Sequence, residues 1–423
     1  MAKFTDFLEE KVSNPMARLA EQRHLLAIRD GVISSLPFII VGSFFLLIAS
    51  PPLPESWAIT QWAADNAAEI LIPYRMTMFI MSLYVAFGIG YNLAQSYKVD
   101  PLSGAQIAVA SLLLTITPTV IDELFYLPME FLGGSGLFVT IIVSILSVEI
   151  FRICKQKGIT IKLPDAVPKS VSRSFEALIP VAIVIVLMTL ITVVIGVNLH
   201  TVVEKLAAPL VTAGDSLFGV LVPVFLITFF WSFGIHGVSV VGSVARPVWE
   251  VYLLNNGEAA AAGEVLPHVA PEPLYQWFIW VGGSGATLGL VIVMILFARS
   301  KYLKNLGRTV SVPALFNINE PVIFGLPIVL NPILIIPFII TPIVLAIISY
   351  FATSIGLVSP TFIRAPWTLP APIGAYLATG GDWRAILLVL VNIAISVAIY
   401  FPFFKVYDRK MVDLETEEDN TAP

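Results

Sequence analysis

Residues 180–197 read PVAIVIVLMTLITVVIGV, eighteen positions without one charged side chain. A soluble helix keeps a polar face toward water, and this run has none. A helix of roughly 18–20 apolar residues crosses the ~30 Å hydrocarbon layer of a bilayer. The same quality recurs along the whole chain. Charge-poor apolar runs lie at 28–50, 76–95, 103–118, 136–153, 175–197, 217–233, 277–298, 327–352 and 385–404. A weaker run at 236–254 contains Arg246. The composition agrees. Of 423 residues, 57% are hydrophobic and 13% charged, whereas soluble domains carry about 25% charged residues.

The distribution of Lys and Arg tests this reading, because cytoplasmic flanks are rich in both. Nineteen of the 24 basic residues fall in five places: 1–29, Lys98, 152–173, 299–308 and 405–410. The alternate segments 51–73, 119–133 and 255–276 carry acids and no Lys or Arg. Ten spans with both termini cytoplasmic put every basic cluster on one side, and nine spans do not. The weak run at 236–254 is therefore counted as a span. Two further segments, 311–326 and 359–382, are too apolar for free loops and too broken by Pro and Gly for spans. Irregular backbone survives at membrane depth only when buried in protein or lining a wet cavity, so both are read as re-entrant hairpins. The expected fold is an all-α polytopic membrane protein with about ten transmembrane helices plus two re-entrant hairpins. The expected units are a cytoplasmic amphipathic helix (1–27), an N-terminal five-helix half (28–198), a C-terminal half (199–404) and a short acidic cytoplasmic tail (405–423).

The mixed charges of 1–29 do not read as a cleavable signal sequence. The single Cys154 excludes an intrachain disulfide and a CxxC site, and it reads as structural. There is no GxxxxGK[ST] phosphate loop and no His/Cys cluster with metal spacing. No cofactor, metal or nucleic-acid partner is expected. His24, His200 and His268 are isolated near span edges and read as surface residues.

Ionisable groups inside a membrane are expensive and therefore invite a functional reading. Four segments hold them or their neighbours. In WSFGIHG (231–237), His236 sits between glycines that break a helix, and Trp231 offers an apolar ring face on which a sugar can stack. The bland alternative is a histidine bonded to a backbone carbonyl. In FNINEPVIFGLP (316–327), Pro321 lacks an amide donor and disfavours the α conformation at Glu320. A non-helical Glu320 beside Asn317 and Asn319 forms a compact donor-and-acceptor set. It suits a polyhydroxylated ligand, a proton or a cation, or it serves only to hold a hairpin. In RAPWTLPAPIG (364–374), Trp367 lines a cavity or lies at headgroup level. In GGSGATLG (282–289), small residues indicate tight helix packing or backbone contact with a ligand. Arg246 reads as a charge that neutralises a carboxylate, meets a phosphate or snorkels.

At this point the chain resembles a known family. FWSFGIHG (230–237) and FNINEPVIFGLPIVLNP (316–332) are similar to the membrane IIC subunits of the lactose/cellobiose/chitobiose class of phosphotransferase permeases, and the likeness extends over the full chain. The resemblance implies a bacterial cell-membrane protein that forms homodimers through its N-terminal half. It implies that His236 and Glu320 face the sugar hydroxyl to be phosphorylated, with Trp231, Asn317 and Asn319 around the sugar; Trp367, from its own segment, is the further substrate-binding candidate. It implies partners: a β-linked disaccharide of cellobiose or diacetylchitobiose type, a cytoplasmic IIB whose phosphocysteine donates the phosphoryl group, and IIA behind it. The competing expectations are an ion-coupled sugar symporter with a broken helix at Glu320 and a non-transporting membrane sensor or scaffold.

Overall fold

The computed structural model describes residues 21–421 apart from 52, 55, 165, 166 and 330. The surface helix expected over 1–27 lies outside the described residues up to residue 20. From Arg23 the chain is already inside the first long helix. The elements that matter here are α1 (Arg23–Ala49), α2 (Met81–Ser96), α3 (Pro101–Leu113), a small hairpin β1 (Thr119–Ile121) and β2 (Leu124–Tyr126), α4 (Leu137–Gln156) and α5 (Lys169–Thr189). Then follow α6 (Leu199–Gly214), α7 (Leu217–Ser232), α8 (Gly237–Ala262), α9 (Leu288–Phe297), α10 (Lys301–Leu315), α11 (Glu320–Gly325), α12 (Ile335–Ser354), α13 (Ala371–Ala378) and α14 (Trp383–Thr421).

Among the described residues, α1, α4, α5, α12 and α14 are long and apolar enough to cross a bilayer. The pair α6 and α7 passes the same test with a bend of 79° between its members. Each of the ten apolar runs contains a helix. The chain is a mostly helical, multi-pass membrane protein, and its outward faces carry apolar side chains such as Val193, Leu206 and Phe218.

Close helix approach is set by glycine. A Cβ at Gly31 would collide with Ile89 on α2, and one at Gly88 with Gly31 and Ser34 on α1; Gly90 and Gly104 join α2 to α3 in the same way. Without a hydrophobic effect between helices in lipid, such backbone proximity supplies the packing energy. One apolar cluster joins α1, α2 and the end of α8 through Val32, Ile39, Met81, Val251 and Leu254. A larger cluster fills the region built from α7 to α14. Helix α8 therefore lies at the seam between the two.

Three expectations are corrected. The run 277–298 is not one helix. A π-turn at Tyr275–Ile279 leads into an irregular stretch and then α9, because Gly282, Gly283 and Gly285 all take positive φ, as does Ala286. The carbonyls freed by the break are satisfied by side chains. Asn319 donates to Ser284 O (2.6 Å), Tyr400 to Gly285 O (2.7 Å), Ser396 to Ala286 O (2.7 Å) and Asn392 to Phe278 O (2.8 Å), as a broken helix at membrane depth requires. The basic stretch 299–308 is not a loop but most of α10, an amphipathic helix with Ser300 as its N-cap. His200 is not a surface residue. It is buried, bonded to the Thr115 hydroxyl (2.8 Å) and stacked on Phe131.

Both irregular segments are hairpin-like. Helices α10 and α11 fold back on each other, and the Tyr302 hydroxyl closes their base by donating to Gly325 O (2.6 Å). Residues 359–370 run without helix and turn into α13, with the amides of Phe362 and Ile363 donating to Ala378 O. Helix α14 continues through residue 404 without a break.

Candidate functional site

The tip of the α10–α11 hairpin, the start of α8 and the 359–370 segment meet around one cleft. It is lined by Trp231, His236, Arg246, Glu272, Gln276, Trp280, Gly283, Ser284, Asn317, Asn319, Glu320 and Trp367. An adjoining cavity shares His236, Arg246, Glu272, Gln276 and Trp367. It extends to Trp277, Arg364 and, on α1, Ile33 and Leu36. The two volumes are about 120 and 350 Å³. Together they fall in the ~300–1,000 Å³ range of small-molecule clefts. All six candidate residues named from the sequence line this cleft.

Their geometry distinguishes them. Gly234, with positive φ, ends the α7 side of the loop, and His236 is the N-cap of α8. Its Nδ1 accepts the Ser239 amide (3.1 Å) and approaches the Ser239 hydroxyl at 2.9 Å. A backbone amide can only donate, so Nδ1 carries no proton and the neutral ring holds its hydrogen on Nε2. That Nε2 lies 3.9 Å from Glu320 Oε1, and both side chains are about half exposed, at 48% and 46%. The separation is too long for a hydrogen bond and leaves both groups free to bond one oxygen that bridges them from the side.

Glu320 differs from the sequence reading in one respect. It is not outside a helix but the first residue of α11. Pro321 occupies the first turn, where a missing amide removes no helical bond. Asn317 takes φ +61. Its Oδ1 accepts from Gly282 N (3.0 Å), and its Nδ2 donates to Trp367 O (3.1 Å) and Leu369 O (2.9 Å). Both amide hydrogens are thus used to rivet three segments together. Asn319 spends a donor on Ser284 O but, among the described residues, accepts no bond at Oδ1.

The two tryptophans also differ. Trp231 is 3% exposed; its ring centroid lies 4.6 Å from that of His236, in a tilted arrangement, and 6.3 Å from that of Phe324, in an edge-type contact. Its Nε1 finds no hydrogen-bond partner among the described residues. Trp367 is 53% exposed and borders both cavities.

A second charged constellation forms the back of the cleft. Arg246 Nη2 lies 3.1 Å from Glu272 Oε1. Arg364 Nη2 donates to Glu272 Oε2 (2.7 Å) and to Glu250 Oε1. Glu250, Glu272 and Arg364 are all buried. The sequence reading placed Glu272 in an outer acidic loop and passed over Glu250. The available signal was the i, i+4 spacing of Arg246 and Glu250 on one face of α8; nothing local tied either to Glu272 or Arg364.

Among the described residues, no group of three or more His, Cys, Asp or Glu has the arrangement of a metal site. The site is instead a cleft with one loose His/Glu pair, the Asn319 Oδ1 acceptor that takes no bond among the described residues, and a charged wall behind. Comparison with known proteins shows the family to which the chain belongs. The model for the phosphotransferase-system EIIC family matches residues 29–342. The chain belongs to this family. It is 42% identical to the cellobiose-specific EIIC component of Geobacillus stearothermophilus, over 97% of this chain and 95% of that one. It is 41% identical to the lichenan permease IIC component of Bacillus subtilis, over 99% and 96%. The crystal structure of ChbC, the IIC component of an N,N'-diacetylchitobiose-specific phosphotransferase system, superposes with a TM-score of 0.90 at 41% identity, covering 97% of this EIIC chain and 99% of ChbC.

Proposed function

We propose that this EIIC subunit binds and translocates a β-linked disaccharide of the cellobiose or diacetylchitobiose type and presents one of its hydroxyls to a separate phosphorylated IIB. The observation that carries this reading is the open His236–Glu320 pair. Its 3.9 Å gap holds a hydrogen-bond donor on one side and a carboxylate acceptor on the other, which is the complement of a hydroxyl group. The names of the relatives support the sugar class.

In the proposed step the hydroxyl oxygen attacks phosphorus. The O–P bond forms, the S–P bond of the IIB phosphocysteine breaks, and the hydroxyl proton passes to Glu320. His236 has its proton on Nε2 and therefore orients the oxygen as a donor. The resulting sugar phosphate is charged and does not return across the bilayer. Trp367 is the stacking platform, Asn319 Oδ1 accepts a sugar hydroxyl, and Trp231 backs the His236 ring. Asn317 holds the cleft's backbone in place. The N-terminal half is read as the dimer scaffold, the C-terminal half as the moving part, and both termini as cytoplasmic, in keeping with the basic clusters.

The test is uptake of radiolabelled cellobiose and diacetylchitobiose into vesicles containing this chain, with and without phosphorylated IIB. Sugar phosphate that accumulates only with phospho-IIB, and is lost in Glu320→Gln, is the expected result. Uptake without IIB that follows an imposed proton or sodium gradient would replace this reading with a symporter.

A further inference from the structure

The C-terminal end of α14 is bound to the hairpin that carries Glu320. Asp408 is almost wholly buried and accepts the amides of Arg299 (3.0 Å) and Ser300 (3.0 Å). Glu415 lies two helical turns further along the same face. It accepts the Ser300 hydroxyl (2.6 Å) and the amides of Lys301 (3.0 Å) and Tyr302 (2.9 Å). The Ser300 hydroxyl in turn accepts from Leu303 N (3.1 Å). The amides at the start of α10, which a helix leaves without internal partners, are thus taken up by two carboxylates more than 100 residues away.

Helix α10 transmits that anchorage. Its far end leads directly into Asn317, Asn319 and Glu320, and the Tyr302–Gly325 bond ties its first turn to the end of α11. The hairpin is held at its base by α14 and at its tip by Asn317 and Asn319. We infer that Asp408 and Glu415 are positioning residues: through α10 they set where Glu320 stands relative to His236. This rests on the reading that Glu320 takes the hydroxyl proton. A carboxylate misplaced by about 1 Å loses on the order of 100-fold in rate.

The experiment uses the full chain with two readouts. The first is sugar phosphorylation by phospho-IIB in Glu415→Ala, Glu415→Gln and Asp408→Ala. The second needs no activity: Glu320→Cys in a Cys154→Ser background, which holds no other thiol, is alkylated by N-ethylmaleimide with and without Glu415→Ala. The expected result is a kcat lower by on the order of tenfold in Glu415→Ala, with the sugar KM little changed. Glu415→Gln, which keeps a carbonyl for the amides, recovers most of the rate, and the alkylation rate at position 320 shifts severalfold. Unchanged kcat and alkylation in a folded Glu415→Ala protein would overturn the inference. So would losses that track only the amount of folded protein in both Glu415→Ala and Asp408→Ala. If the parent chain phosphorylates no sugar, the proposed function fails, while the alkylation arm still judges the coupling.

Discussion

The cleft contains two charged groupings built on opposite principles. The wall of Arg246, Glu250, Glu272 and Arg364 is in direct ion contact, with two acids balancing two guanidiniums and all but Arg246 buried. The pair His236 and Glu320 is half exposed and stands just out of bonding range. A tight, dry network has committed its groups to one another, and removing one member strands a charge. A loose pair at an open mouth has committed little and is free to engage something else. Burial and spacing together separate the grouping whose charges are tied to one another from the grouping whose charges are still free to bind.

Removing the loose pair's acceptor is therefore expected to affect chemistry and spare the fold. Glu320→Gln keeps the shape of the side chain and is expected to lower the phosphorylation rate by about 10²–10⁴-fold, the usual range for a lost general base. Thermal unfolding in detergent is expected to move by no more than an exposed substitution does, about 0.5 kcal/mol. Phosphorylation kinetics at saturating sugar and a melting curve on the same preparation check both halves. A variant that loses stability as well as rate would show that Glu320 belongs with the wall.

The opposite substitution is expected to invert that result. Glu272→Ala leaves Arg246 and Arg364 without their shared acid and is expected to cost about 3–5 kcal/mol of stability. It reads out as a lower melting temperature and less monodisperse protein. The buried Arg364 Nε and Glu250 Oε2 lack partners among the described residues, so a second Arg364–Glu250 bond can offset part of the loss for Arg364 and none of it for Arg246.

The contrast also explains what could be read from sequence. Composition and hydropathy determine a membrane helix whatever its neighbours, so the runs at 28–50 and 327–352 were legible. His236, Asn317, Asn319 and Glu320 were legible because polar residues beside Gly and Pro in an apolar stretch need a local reason to be there. The break at 281–287 was less legible, because Gly282 and Gly283 serve close packing and positive φ equally well; only the partners from α14, Ser396 and Tyr400, decide between them. The charged wall was illegible for a related reason. Its members come from residues 246, 250, 272 and 364, and pairings across distant stretches of chain, 92 and 114 residues apart for the two that Arg364 makes, leave no periodicity. The helix over 301–315 was hidden by its own charge, since basic residues flanking a span look the same in a loop as on an amphipathic helix.

The two roles of His236 can be separated next. Asn is among the best N-cap residues, so His236→Asn preserves the acceptor for the Ser239 amide while removing the donor aimed at Glu320. It is expected to melt as the parent does and to lose roughly 2–12-fold in phosphorylation rate, corresponding to a neutral hydrogen bond of about 0.5–1.5 kcal/mol. His236→Ala is expected to lose the same rate and about 1 kcal/mol of stability besides. Equal stability in the two variants would mean that the cap contributes nothing. Full activity in His236→Asn would mean that Nε2 does not touch the substrate.

The smallest effect tests the tryptophans, where the reading from sequence and the geometry part. Trp231 was a candidate for stacking on the sugar ring, but it is 3% exposed and its ring lies against those of His236 and Phe324. Trp367 has an open face on both cavities. An aromatic ring contributes about 0.5–1.5 kcal/mol beyond simple burial. Trp367→Leu is therefore expected to raise the sugar KM by roughly 2–12-fold with kcat nearly unchanged. Trp231→Leu removes the support behind His236 and is expected to lower kcat while leaving KM close to that of the parent. Initial rates over a range of cellobiose concentrations distinguish the two. If Trp231→Leu raises KM and Trp367→Leu does not, the sugar displaces His236 from the Trp231 ring when it binds, and the loose pair is looser than its 3.9 Å separation implies.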